Sequence, residues 1–298
     1  MSKKTKQEII ELFISKPTYI NMGAGKMAKR FGKTKKEIHE CKQMARDALG
    51  RSFKRLFFDI ETSPNIGFFW QSGYKINIPY SNVIREKAII CVSYKWEHED
   101  KVHHLHWDNG NDYDLVKEFS KVLFQADEVV AHFGDRFDVP WLRGRALYHG
   151  LPFPTYLKTL DTKQKAYSHF KLNSNSLDYL AKYLKVGGKI EDGGFQNWVD
   201  VTLHNDPEAL KIMVDYCDND VVILQDVFEK MQKYIKLNSH VGVNIGQSKS
   251  SCPCCGSTNT HYYKPWVTAS GTIQRIMRCG SCGADYKISN KEWLHIMK

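Results

Sequence analysis

Apolar positions along this chain follow three successive rhythms. Between Thr5 and Leu49 they recur at helical spacing in three short runs. The first and third open on T-x-x-E boxes, Thr5-Lys-Gln-Glu8 and Thr34-Lys-Lys-Glu37, where threonine and glutamate satisfy each other's orphaned backbone N–H groups. Lys16-Pro17 predicts the end of the first helix, and Gly32 the end of a middle one over Ala24–Phe31. In the third run Ile38, Cys41, Ala45 and Ala48 share one helical face, while Lys35, His39, Lys42 and Arg46 line another.

From Phe53 the rhythm changes to short apolar runs alternating with helical ones. Leu56-Phe-Phe-Asp-Ile-Glu reads as a strand, and Ala88–Trp96 with Val102–Trp107 reads as a neighbouring pair turning at Glu97–Lys101. Helical spacing over Leu115–Phe124 leads to a strand at Glu128–His132, and further helices are predicted at Ser176–Leu184 and Pro207–Tyr234. Strands first, then strands alternating with helices, indicate a mixed α/β sheet flanked by helices. Beyond a Ser/Gly/Asn-rich linker that runs to Ser251, the third rhythm is set by cysteines and aromatics. The expected organisation is therefore a helical segment over 1–52, an α/β domain over 53–238, and a linker with a small cysteine-rich module over 239–298.

Charge adds to this division. The 298 residues carry 43 basic and 33 acidic side chains, a formal net charge of +10. The excess lies at the ends: residues 1–55 total +10 and 240–298 total +5, whereas 56–239 total −5. Basic arms around an acidic centre suggest ends that grip a polyanion and a middle that gathers carboxylates. Lysine-rich ends serve solubility equally well on charge alone. No run approaches the roughly 18 apolar residues of a membrane span, and Met1–Gln7 lacks the apolar core of a secretory signal. Export and membrane insertion are not expected.

Three acidic motifs fall in the central segment. Asp59-Ile60-Glu61 ends an apolar strand, so both carboxylates project from one face, a like-charged pair suited to Mg²⁺ or Mn²⁺. Asp138, in Phe137-Asp-Val-Pro-Trp-Leu142, precedes Pro140 and could simply cap a helix. Tyr216 and Asp220 stand four apart on a helix and share a face beside the apolar positions Val221 and Leu224. Each motif alone has an ordinary reading as strand edge, helix cap or helix surface.

In this order and spacing, Phe58-Asp59-Ile60-Glu61-Thr62, Phe137-Asp138-x-Pro-x-Leu142 and Tyr216-x-x-x-Asp220 resemble the DnaQ-like 3′–5′ exonucleases, in their DEDDy branch. The helix Asn175–Leu184 resembles one that many relatives carry between the second and third motifs. The residue five before Asp220, where a histidine branch has its histidine, is Asp215, which favours tyrosine. The string His132-Phe133-Gly134-Asp135-Arg136 departs from the usual His-Asn-Gly and leaves Asp135 as a competing candidate for a secondary role.

The resemblance implies an RNase H-like fold and a phosphodiester hydrolase. Two divalent ions, Mg²⁺ or Mn²⁺, would be held by Asp59, Glu61, Asp138 and Asp220, one lowering the pKa of the attacking water and the other stabilising the leaving 3′ oxygen. Tyr216, with an ordinary pKa of about 10, would orient the water rather than deprotonate it.

Cys252-Pro-Cys-Cys255-Gly and Cys279-Gly-Ser-Cys282-Gly form two C-x-x-C knuckles 23 residues apart, the pattern of a structural Zn²⁺ site. Gly256 and Gly283 follow where a knuckle needs positive φ. The stretch resembles a zinc ribbon, with Cys252, Cys255, Cys279 and Cys282 as ligands and Cys254 left over. Its Tyr262, Tyr263 and Trp266, with Lys264, Arg275 and Arg278, either contact nucleic acid or brace the ribbon. His103, His104 and His106 alternate across a strand and read as surface, and Gly187-Gly188-Lys189 lacks the phosphate-loop pattern and reads as a turn.

The segment around Met27–Gly32 and the third helix resembles a helix-turn-helix module, in which Lys35, His39, Lys42 and Arg46 would meet DNA. A helical bracket with a solvated charged face has the same periodicity. The whole suggests an accessory of DNA replication, repair or recombination, phage-encoded and acting in bacterial cytoplasm with nucleic acid, DNA before RNA, and a replication or repair protein as partners. The competing readings are a DNA-binding regulator on a silent nuclease scaffold, and an exoribonuclease or structure-specific endonuclease on the same fold.

Overall fold

The computed structural model describes residues 4–16, 19, 24–49, 53–73 and 75–297, with the side chains of 43 and 46–49 excepted. Pro17 and the side chains of Arg46 and Ala48 thus lie outside the described residues. The chain forms two compact units, one of residues 54–231 and the other of residues 1–53 with 232–298. Among the described residues no helix is long and apolar enough to cross a membrane.

At the N-terminus, α1 (Lys6–Ser15), α2 (Ala24–Phe31) and α3 (Lys35–Leu49) pack through Ile9, Phe13, Met27, Phe31, Ile38, Cys41 and Ala45. Both capping boxes are formed: Glu8 and Glu37 each accept from the N–H of their cap threonine, at 2.7 and 2.8 Å. Gly32 takes φ +62°, which turns the chain between α2 and α3. The expected basic face of α3 needs correction. Lys35 and His39 are exposed, but Lys42 is only 5% exposed, because it stands four residues from Ile38 and widens the apolar stripe next to Cys41.

The central unit holds β1 (Arg55–Thr62), the short hairpin β2 (Ile66–Gly67) and β3 (Val83–Arg85), β4 (Ile89–Trp96) and β5 (His103–His106). Next come α4 (Tyr113–Leu123), β6 (Glu128–Ala131), α5 (Asp138–His149), β7 (Thr159–Asp161), α6 (Thr162–His169), α7 (Leu177–Leu184), α8 (Gly194–Val199) and α9 (Pro207–Met231). Five strands make one mixed sheet in the order β5-β4-β1-β6-β7, with β1 antiparallel to β4 and parallel to β6.

Strand alternation sorts β1 cleanly. Leu56, Phe58 and Ile60 pack with α4 and α5 through Phe119, Leu123, Val139 and Leu142, each fully buried large side chain contributing ~1.5–3 kcal/mol by removal from water. The opposite face carries Phe57, Asp59 and Glu61, and Phe57 meets Phe228 of α9 edge-on at 5.4 Å between ring centres. Cys217 of α9 donates to the Asp59 carbonyl at 3.4 Å, which fixes the helix over the acidic end of the strand. On β5, His104 pairs with Asp218 at 3.2 Å and His103 with Glu99 at 3.2 Å, as strand surface.

At the C-terminus, α10 (Val241–Asn244), β8 (Thr260–Val267), β9 (Ile273–Cys279), β10 (Asp285–Ser289) and α11 (Asn290–Ile296) follow. The expected linker is partly ordered, because His240 accepts from the Val243 N–H and caps a helical turn. The strands form an antiparallel sheet, β10-β9-β8. Its cations sit on its own rings: Arg278 lies 4.2 Å from the Tyr263 ring centre and Lys287 3.7 Å from that of Trp266, while Tyr262 packs on Trp293. These contacts hold the rings and cations of the sheet against one another.

Candidate active site

Three separate elements bring the acidic motifs together. Asp59 and Glu61 stand on one face of β1, Asp138 is the first residue of α5, and Tyr216 and Asp220 share the face of α9 that covers β1. Their charges act on one another. Burial, and then the Asp220 carboxylate, push Asp59 up to about 7. Burial, with Asp59 and Asp220, pushes Glu61 up to about 8. Asp138 is raised well above its ordinary value by burial and by Asp59. Asp215 turns away to pair with Lys211 at 2.6 Å, which leaves Tyr216 as the residue of its motif that faces Asp220.

Asp138 does not cap its helix. The cap position is held by Phe137, and Asp138 is the first helical residue, 1% exposed, with an Oδ1 that has no protein partner. Asp220 is likewise buried with an unpartnered Oδ1. Buried carboxylate oxygens without partners are costly, and hard anionic donors of this kind suit a divalent cation. The donor chemistry therefore suits a divalent cation, which Asp59, Glu61, Asp138 and Asp220 would be the residues to hold.

Lys189 is the member that sequence reasoning missed. Its Nζ donates to Tyr216 Oη at 2.6 Å and also to Asp220 Oδ2. The Gly187-Gly188-Lys189 turn is anchored on both sides, by the Lys189 N–H to Asp178 at 3.3 Å and by Asn219 to the Gly188 carbonyl at 3.5 Å. Among the described residues the carboxylates are not gathered into a ready metal-holding group as the four cysteines are. The spacing signal was absent because Lys189 comes 31 residues before Asp220.

Asp161 is a second missed residue. It accepts from the Phe133 N–H at 3.0 Å and the Gln164 N–H at 3.1 Å, fixing the loop before Asp138 to the start of α6. Phe133 adopts φ +73°, and a Cβ on Gly134 would lie 2.4 Å from that of Ala131, so this loop admits only glycine at 134. His132 is partly buried, which lowers its basicity to about 4, and Nε2 meets the Asn175 carbonyl at 3.0 Å. It is a structural histidine. Asp135 is exposed.

Following Glu61, the chain lines a groove of about 320 Å³ with Pro64, Ile66, Phe69, Ile78, Phe195 and Trp198 among its walls. Trp198 Nε1 donates to the Thr62 carbonyl at 3.1 Å, which ties the groove to the acidic strand. Phe68, Trp70 and Tyr80 of the same loop are exposed.

The raised carboxylates make a pH prediction. Asp59 and Glu61 bind protons more tightly folded than unfolded, so the unfolded chain ionises first as pH rises. The stability of protein free of Mg²⁺ and Mn²⁺, with zinc retained, therefore falls from about pH 4 to about pH 8. Thermal melts are expected to show this loss, its recovery by Mn²⁺ at pH 8, and a shallower pH dependence in Asp59→Asn. A melting temperature that rises over this range would contradict it.

In the C-terminal cysteine-rich stretch, the Sγ atoms of Cys252, Cys255, Cys279 and Cys282 all lie within 4.8 Å of one another. Cys252 and Cys282 are 3.6 Å apart, and Cys255 and Cys279 3.7 Å. Tetrahedral Zn–S bonds of about 2.3 Å place sulfurs about 3.8 Å apart, so the set fits zinc. Against the effect of burial, the N–H groups of Cys282 and Ser281 bring Cys279 down to about 7. Gly256 and Gly283 both take φ +76°. Cys254 lies outside the group, with its thiol on Gln232 at 3.3 Å.

The sheet and its acidic pocket define an RNase H-like exonuclease. The chain belongs to the family described as predicted 3′–5′ exonucleases related to the exonuclease domain of PolB, which matches residues 78–240. That stretch includes Asp138, Tyr216 and Asp220, while Asp59 and Glu61 precede it. Among solved structures, a family B DNA polymerase from the hyperthermophilic archaeon Pyrobaculum calidifontis is similar at 18% identity with a TM-score of 0.47, over 61% of this chain and 25% of the polymerase. The chain spans about a quarter of that polymerase's length. No curated protein matches it.

Proposed function

We propose that this exonuclease releases nucleotides from the 3′ end of single-stranded DNA by metal-dependent phosphodiester hydrolysis. The observation that carries this reading is the meeting of Asp59, Glu61, Asp138 and Asp220 beside Tyr216, with buried oxygens of Asp138 and Asp220 left without protein partners.

A pair of divalent ions held by Asp59, Glu61, Asp138 and Asp220 would supply an acidified water and a stabilised leaving oxygen. The chain's own groups do the rest. Burial raises the Tyr216 phenol above its ordinary value, so it stays protonated and orients the water by a hydrogen bond. Lys189 offsets part of the pocket's negative charge at Asp220. The aromatic groove next to Thr62 supports a single strand, since unstacked bases lie flat on Phe69, Phe195 and Trp198. The relation of the family to PolB supports DNA over RNA.

Product sizing over time on matched DNA and RNA strands, labelled at the 3′ or the 5′ end, tests this. The expected result is mononucleotide release from 3′-labelled DNA with Mg²⁺ or Mn²⁺, with 5′-labelled products shortening stepwise. Faster digestion of RNA would change the substrate. Internal cuts at early times would change the mode.

A further inference from the structure

The α2–α3 corner gathers cations from two helices and the turn between them. Met27, Ala28 and Phe31 of α2 face the small helical core, which leaves Lys26 and Lys29 exposed. Gly32 then reverses the chain to Lys33, and the Thr34–Glu37 box starts α3 with Lys35 in its first turn. As a result Lys26, Lys29, Lys33 and Lys35 line an open concavity of about 690 Å³ floored by Gly25 and Ala28.

Among the described residues none of these four ammonium groups has a carboxylate within ion-pair distance. The nearby Glu37 is committed to Thr34, accepting from its N–H at 2.8 Å and its hydroxyl at 2.9 Å. Arg30 lies over the rings of Tyr19 and Phe31 and takes no part. Four like charges around one hollow repel one another, and a polyanion relieves that repulsion.

The composition of the lining selects the polyanion. It contains no aromatic side chain, so it offers no platform for unpaired bases, unlike the groove beside Thr62. It offers compact point charges, which suit phosphates, and duplex DNA presents these most densely, one charge per about 1.7 Å of axis. We propose that this lysine-lined concavity docks the phosphate backbone of duplex DNA without regard to sequence. It works through the α2–α3 turn rather than the outer face of α3, where Lys42 is buried. The inference is independent of the hydrolytic reading, because it needs none of the carboxylates.

The test uses the full chain, zinc retained, without Mg²⁺ or Mn²⁺, so that binding is read without cleavage. Fluorescence anisotropy with a blunt 20-base-pair duplex is followed from about 50 to 200 mM salt, for wild type and for K26Q/K29Q/K33Q/K35Q. Each lost phosphate contact lowers the slope of log K against log salt by ~0.9. Four contacts give a slope lower by about 3 to 4, so about 100-fold of the wild-type salt sensitivity over this range disappears. Lysine to glutamine keeps helix propensity at exposed positions, and a melting temperature within a few degrees of wild type confirms folding. A two-residue reversal, K29E/K33E, is expected to weaken duplex binding further than the corresponding K29Q/K33Q. A slope within one contact of wild type overturns the proposal. So does a loss confined to a single strand of equal length, or one seen on phosphatidylserine vesicles while duplex binding stays intact.

Discussion

Asp59→Ala and Asp220→Ala are each expected to abolish hydrolysis, with a rate loss of at least about 10³-fold, or about 4 kcal/mol of barrier. The physical reason is that the two residues lie on different elements yet load the same pocket, each raising the proton affinity of its neighbours. Removing either leaves too few anionic oxygens to hold the divalent ions against a scissile phosphate, and a like-charged phosphate then approaches uncompensated acids. Tyr216→Phe is expected to behave differently. It loses one hydrogen bond to the water and leaves the carboxylates in place, so its rate falls by about 10- to 100-fold while Mn²⁺ binding by calorimetry is unchanged. Asp220→Asn, similar in shape, separates charge from packing: a folded, metal-poor and inactive protein supports the assignment. Rates within a few-fold of wild type in Asp59→Ala or Asp220→Ala would remove it.

Stripping zinc is the second large effect. Four sulfurs at zinc-like spacing sit in a small module whose buried cluster contains little besides Cys252, Cys254, Cys279 and Ala284. So small a core cannot order the strands by itself, and zinc bound there would do so, at ~10–16 kcal/mol. Metal analysis is expected to give one zinc per chain, and strong chelation to expose β8–β10 to protease and to fast amide exchange. Cys279→Ser is expected to reproduce the chelated state. Cys254→Ser should keep its zinc, because that thiol lies on Gln232 and outside the four. Zinc lost from Cys254→Ser but kept in Cys255→Ser would reassign the ligands.

These two predictions differ in how early they can be read. The zinc site is set by spacing within two short turns, and positive φ at Gly256 and Gly283 makes each knuckle a local event. The pairing of Asp59 with Glu61 is also local, since a strand repeats every two residues. That Asp138 lies buried beside them rather than capping α5 is not local. Its helix could have been capped by any short polar residue, and only the packing of α5 against β1 removes it from water.

Lys42 shows the opposite error. Helical phase puts it at the edge between an apolar and a basic stripe, and the width of the contact with α1 and α2 decides which side it joins. Lysine stems are long enough to be buried alongside such a contact.

The sequence by itself determined the three N-terminal helices, the strands β1, β4, β5 and β6, the helices α4, α7 and α9, both capping boxes, the same-face carboxylates of β1, the Tyr216–Asp220 pair and the spacing of the four cysteines, because each follows from repeats of two or 3.6 residues or from a tight turn. The tertiary structure alone decided that Lys189 reaches Tyr216 and Asp220, that Asp161 holds the loop before Asp138, and that four lysines from two helices and the turn between them share one hollow. Those contacts join residues far apart in the chain or on different helices, where no backbone period acts and packing sets the distance.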